Sequence, residues 1–131
     1  MGFKLAWDNE DKTIILGETD WPFTWDELTA AWESVTEMMR SVPHIVHIII
    51  VAKTSRFPVG NPLSNLRQVM RFEPRNLGLA ILVTDNRFQA TINTILFNMS
   101  PHLSKYGHVV DTLERAYALI EKEGGSIRPN G

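Results

Sequence analysis

Four histidines, a lysine–arginine turn and an aspartate–arginine pair are the residues of this chain that could do chemistry. His44 and His47 stand three residues apart at the start of an apolar run. In a strand that separation points the two rings to opposite faces, which argues against a shared metal. His47, the lone polar residue inside the run, reads as a hydrogen-bonded core histidine, and His44 as a residue of the preceding exposed loop. His102 and His108 bracket a later loop, too far along the chain to join that pair without help from the fold. Asp85 and Arg87 could mimic an acid–base pair, but Asp85 sits where a helix cap would fall. The chain has no cysteine, which removes thiolate ligands, thiol nucleophiles and disulfides and suits a cytoplasmic setting. No catalytic motif, metal set or cofactor motif emerges, so a non-enzymatic protein is expected.

Binding chemistry is better represented. In a parallel sheet, ligands collect beyond the carboxyl ends of the strands, beside helix starts. Here that rim would gather Lys53, Thr54, Ser55, Arg56, Gly60 and Asn61 after one strand, and Asp85, Asn86 and Arg87 after the next. The helix expected after Asn61 would offer free N–H groups and a positive dipole end, which favour a small anion. Gly60 alone is not a phosphate loop. Charge is partitioned along the chain: residues 1–40 carry three basic residues and nine acids, net −6, whereas residues 41–90 carry six and two, net +4. A basic face around the second helix could therefore meet an anion, an acidic partner or the acidic face of another copy. Trp7, Trp21, Trp25 and Trp32 all lie in the first 32 residues, and Trp21 and Trp25 suit a contact surface. Their neighbours Asp20, Asp26 and Glu27 would repel phosphate, so nucleic acid is not expected.

The elements that must position these residues are legible as a hairpin followed by alternating units. Ile45 to Ala52, I-V-H-I-I-I-V-A, is a short β-branched run, apolar on both faces but for His47, and predicts a central strand covered above and below. Phe3 to Trp7 alternates, Asp8 to Asp11 turns, and Thr13 to Gly17 returns, an edge hairpin. Thr24 and Glu27 form a capping box for a helix carrying Leu28, Trp32, Val35 and Met39 to about Arg40. Asn61 and Pro62 open a second helix that Pro74 ends at about Phe72. Leu79 to Thr84 is another buried strand. Phe88, Ile92, Ile95 or Leu96, and Met99 form the apolar stripe of a third helix that Pro101 bounds. His108 to Val110 is a short strand, and Asp111 or Thr112 caps a last helix. A single domain of 131 residues is expected, with a folded core over 3–123 and a flexible tail over 124–131. The fold class is α/β: a mixed, mostly parallel sheet of about five strands with about four helices. No apolar run approaches the length of a membrane span.

Three features resemble the STAS-domain superfamily, the anti-sigma factor antagonists and the related CRAL-TRIO lipid-exchange fold, most of all its small stand-alone bacterial forms. They are the hairpin leading into Trp25-Asp26-Glu27-Leu28, the strand Ile45–Ala52 running through a loop to a helix, and the ending Val109-Val110-Asp111-Thr112-Leu113-Glu114-Arg115-Ala116. The resemblance implies a regulatory domain acting through protein contact, and a homodimer. In phospho-regulated members a serine at a helix start accepts phosphate and so blocks a kinase-like partner. Laid on this chain, that pattern puts Val59 at the preceding aspartate and Gly60 and Asn61 at the serines, so the acceptor is absent. The leading expectation is thus a cytosolic STAS-like interaction domain without the phosphoacceptor. The alternative is a small-molecule carrier or sensor, holding a lipid or anionic ligand at the rim or between helix and sheet.

Overall fold

The structure, a computed structural model, describes residues 2–127. Five strands, β1 (Phe3–Trp7), β2 (Ile14–Thr19), β3 (Val46–Ala52), β4 (Leu77–Val83) and β5 (Gly107–Val110), form one sheet in the order β1-β2-β3-β4-β5. β1 runs antiparallel to β2, and all later neighbours are parallel. β3 is therefore the middle strand, as its apolar run predicts, with Ile49 between Leu16 and Ile81.

The helices are α1 (Trp25–Arg40), α2 (Pro62–Val69), α3 (Arg87–Phe97), α4 (Pro101–Tyr106) and α5 (Leu113–Glu123). Crossovers of one hand in an unreversed strand order land on one face. Accordingly α1, α2 and α3 share the face floored by Ile15, Ile48 and Ala80, while α5 covers Ile49, Leu79 and Ile81 on the other. The caps follow from local chemistry. Thr24 and Glu27 close a reciprocal capping box, Asn61 accepts from Ser64 N–H with Pro62 at the first helical position, and Thr112 accepts from Arg115 N–H.

Several boundaries differ from expectation. Asn86, not Asp85, caps α3, its carboxamide accepting from Gln89 N–H. Pro101 does more than bound α3: behind the Ser100 cap it opens α4, a fifth, short helix. α2 ends at Val69 rather than Phe72, and beyond it the Trp32 indole donates to Phe72 O at 3.1 Å. The expected tail begins with a 3₁₀ turn, Gly124–Ser126, and Ile127 is buried in the α5-side core; residues 128–131 lie outside the described residues. Asn76 fastens the entry to the sheet. Its Nδ2 donates to Met39 O (2.7 Å), Val42 O (3.2 Å) and His44 O (2.9 Å), tying the end of α1 to the start of β3 and β4.

The largest departure concerns the face of α3. Phe88 and Met99, expected inside, are 58% and 49% exposed, and of the alternatives Ile95 and Leu96 it is Leu96 that is buried, Ile95 being 41% exposed. Gln89, Asn93 and Phe97, not expected inside, are buried beside Leu96. The reason is a hydrogen-bonded anchor. Gln89 Oε1 accepts from the Thr84 hydroxyl at 2.6 Å and Gln89 Nε2 donates to Thr54 O at 3.3 Å, so the helix is rotated to join the ends of β3 and β4. A buried amide bonded at both its oxygen and its nitrogen can outweigh a misplaced apolar stripe, because leaving it unpaired costs more than exposing one side chain.

Candidate functional site

The predicted rim residues lie at the carboxyl ends of β3 and β4 and in the segments that follow them. Lys53 donates to Glu18 at 2.9 Å, and that hydrogen bond and charge raise the Lys53 pKa. Arg56 lies over the Trp21 ring, 4.3 Å from its centroid. Thr54 Oγ1 accepts from Arg56 N–H, Ser55 is exposed, and Gly60 takes a φ of 118° that a side chain would strain. Asn61 and Asn86 are occupied as caps, and Asp85 and Arg87 are exposed. A strand order that never reverses also has no switch point, the place where such a rim opens into a crevice.

The opening lies deeper, between the sheet and α1–α3. An apolar cavity of about 130 Å³ runs there, floored by Gly17, Ile50, Ala52 and Ala80 and roofed by Leu28, Ala31, Trp32, Val69 and Phe97. Its existence follows from residue size. Ala31, Ala52 and Ala80 present only methyl groups to the cavity, whereas the space over Gly17 is taken by its neighbours: a Cβ there would lie 2.7 Å from Ile50 Cδ1 and 2.8 Å from Leu5 Cδ2. Toward the strand ends Phe23 and Phe57 join the lining. Phe57 stacks on Trp25 (6.0 Å, 16°) and meets Phe88 edge-on (6.3 Å), and the Trp25 indole donates to Val59 O at 3.0 Å. Trp25 thus braces the loop at the cavity end, and Trp32 is a wall of the cavity as well as part of the core. Among the described residues the polar ones in the lining are Glu18, Thr19, Gln89 and Asn93; Lys53 and Arg56 do not take part. A second cleft, between α1 and α2, is larger at about 360 Å³ but is walled by Glu33, Glu37, Arg40 and Arg71. It is a groove among solvated side chains, where the acidic and basic halves of the chain face each other.

The histidines are dispersed. His44 Nε2 contacts Lys12 O at 2.8 Å in an exposed loop, and His102 Nε2 contacts Gly78 O at 2.9 Å. His108 Nε2 is buried and has no hydrogen-bond partner among the described residues. No three His, Asp or Glu side chains among the described residues are placed to hold a metal. His47 Nδ1 accepts from Leu79 N–H at 2.9 Å beside the register shift between β3 and β4. That bond requires the ring to be neutral, and burial pushes its pKa below the ordinary 6.5. The unfolded chain therefore takes up the proton first. Stability should be complete above pH 6.5 and fall as pH drops from there through the lower folded-state value, with a slope of at most about 1.4 kcal/mol per pH unit. His47→Asn keeps an acceptor without the titration, so denaturant unfolding between pH 5 and 6.5 should lose this slope; an unchanged slope would refute the assignment. Across the molecule, the Tyr117 hydroxyl donates to Asp8 at 2.8 Å, and burial with that bond pushes its pKa to about 12.

Sequence reasoning missed Gln89, Asn93 and the cavity floor. Gln89, Asn93, Leu96 and Phe97 do recur at helical spacing, a signal hidden because two of the four are amides. No helix among the described residues is long and apolar enough to cross a membrane. No family model, curated protein or solved structure matches the chain.

Proposed function

We propose that the protein is a non-enzymatic carrier or sensor that holds a small apolar molecule between its sheet and helices α1–α3. The supporting observation is the cavity of about 130 Å³, with its nearly unbroken apolar lining. Empty space of this kind forfeits dispersion contacts on every wall, and an apolar guest restores them. The place agrees with one half of the alternative reading, a ligand between helix and sheet. The anionic half is less well supported, because Lys53 and Arg56 are turned to Glu18 and Trp21. STAS-like kinship and a cytoplasmic setting are parts of the same proposal, supported by the hairpin-first order of elements and the lack of cysteine.

Thermal unfolding with a panel of small apolar molecules tests it. A ligand at 100 times its Kd adds about 2.7 kcal/mol, an easily read rise in Tm. Ala31→Leu, which extends a side chain into the cavity from a helix that favours leucine, should stabilise the free protein by about 1 kcal/mol and remove the ligand response. No response from the wild type, or an undiminished one from Ala31→Leu, would refute the carrier reading.

A second reading, regulation through protein contact as a homodimer, is favoured by the exposed Phe88, Ile95 and Met99 along α3. Size-exclusion with light scattering separates it: a strict monomer at micromolar concentration counts against the dimer.

A further inference from the structure

The cavity lining includes an acceptor that no donor among the described residues reaches, and that acceptor selects the ligand. Asn93 lines the cavity at only 9% exposure. Its orientation is settled by chemistry: the end of the amide facing the Gln89 backbone carbonyl, at 3.0 Å, must be the NH₂ group, since only that end can donate. The Oδ1 end therefore faces the other way, and no donor among the described residues reaches it. Gln89 does not share this condition, because its Oε1 accepts from Thr84 and its Nε2 donates to Thr54. An acceptor in an apolar wall that no protein donor reaches gains a hydrogen bond from a guest that supplies one.

We propose that the cavity takes an uncharged, ring-sized apolar molecule bearing one hydroxyl, which donates to Asn93 Oδ1. This rests on the carrier reading and narrows it. The size follows from comparison with a roughly 150 Å³ apolar cavity known to hold benzene. Charge is excluded by the lining. A carboxylate would set its oxygens against Oδ1 with no cation in the wall, and Glu18, the one ionisable residue of the lining, is paired with Lys53. A buried unpaired charge is the most expensive group a cavity can take.

Calorimetric titration of the full chain with phenol, toluene and benzoate tests this. Phenol and toluene should bind and benzoate should not. Asn93→Leu, close in volume and without the amide, should weaken phenol about tenfold and leave toluene unchanged or tighter. Should that variant fail to fold, the wild type still decides the matter: the Asn93 side-chain amide resonance should shift with phenol and stay in place with toluene. Toluene binding with no Asn93 shift on phenol, phenol affinity indifferent to Asn93→Leu, or benzoate binding as tightly as phenol would overturn the hydroxyl assignment and leave the carrier reading standing. No binding by phenol or toluene would overturn both.

Discussion

Ile49→Ala should cost about 2–5 kcal/mol, the loss expected when a fully enclosed side chain is truncated. Ile49 has 0% exposure and belongs to the cluster of Leu79, Ile81, Val83 and Ala116 that α5 seals. It is held on both sides by parallel partners, Leu16 on β2 and Ile81 on β4, so the backbone cannot collapse into the space left behind. The penalty then combines lost burial with an unfilled cavity. Against a total stability of about 5–15 kcal/mol, urea unfolding should show a midpoint shift that is a large fraction of the whole. A loss below about 1 kcal/mol, the size expected of a surface site, would mean that β3 is not the covered centre of the sheet.

Gly78→Ala should cost about 1–3 kcal/mol for a different reason. A Cβ at position 78 would lie 2.4 Å from His47 Nδ1, 2.6 Å from its Cε1 and 2.7 Å from Ile45 Cγ2. The imidazole has nowhere to retreat, since Gly124 already crowds the far side of the ring: a Cβ there would be 2.8 Å from Nε2. Displacing the ring would also strip Leu79 N–H of its acceptor. Both penalties act through one side chain, so a double-mutant cycle should show it: in a His47→Ala background, Gly78→Ala should cost at least about 0.5 kcal/mol less. Additive losses would place the strain elsewhere.

These two sites also mark how far the sequence could be read. The octet around Ile49 was legible because a β-branched run with a single polar break has few homes other than a sheet interior. The caps at Thr24 and Asn61 were legible, and that of α5 was narrowed to Asp111 or its neighbour Thr112, because capping is local chemistry at fixed spacing. Gly78 was opaque, since its requirement for no side chain comes from a histidine on the neighbouring strand. The face of α3 was misread for a related reason: apolar periodicity favoured Phe88, whereas the helix is rotated by the bonds of Gln89 to Thr84 and Thr54. The cavity could not be read at all. Gly17, Ala31, Ala52 and Ala80 are ordinary small residues until the fold gathers them between one face of the sheet and α1–α3. The rim residues were found by a rule that holds at switch points, and this strand order has none.

Crystals held under xenon pressure test the central claim most directly, because xenon enters dry apolar cavities without needing a hydrogen bond. The expected map shows a xenon atom beside Trp32, above Ala52 and Ala80, with α1–α3 unmoved. Helices closed onto the sheet, or ordered waters at that position with no xenon, would contradict a cavity built for an apolar guest.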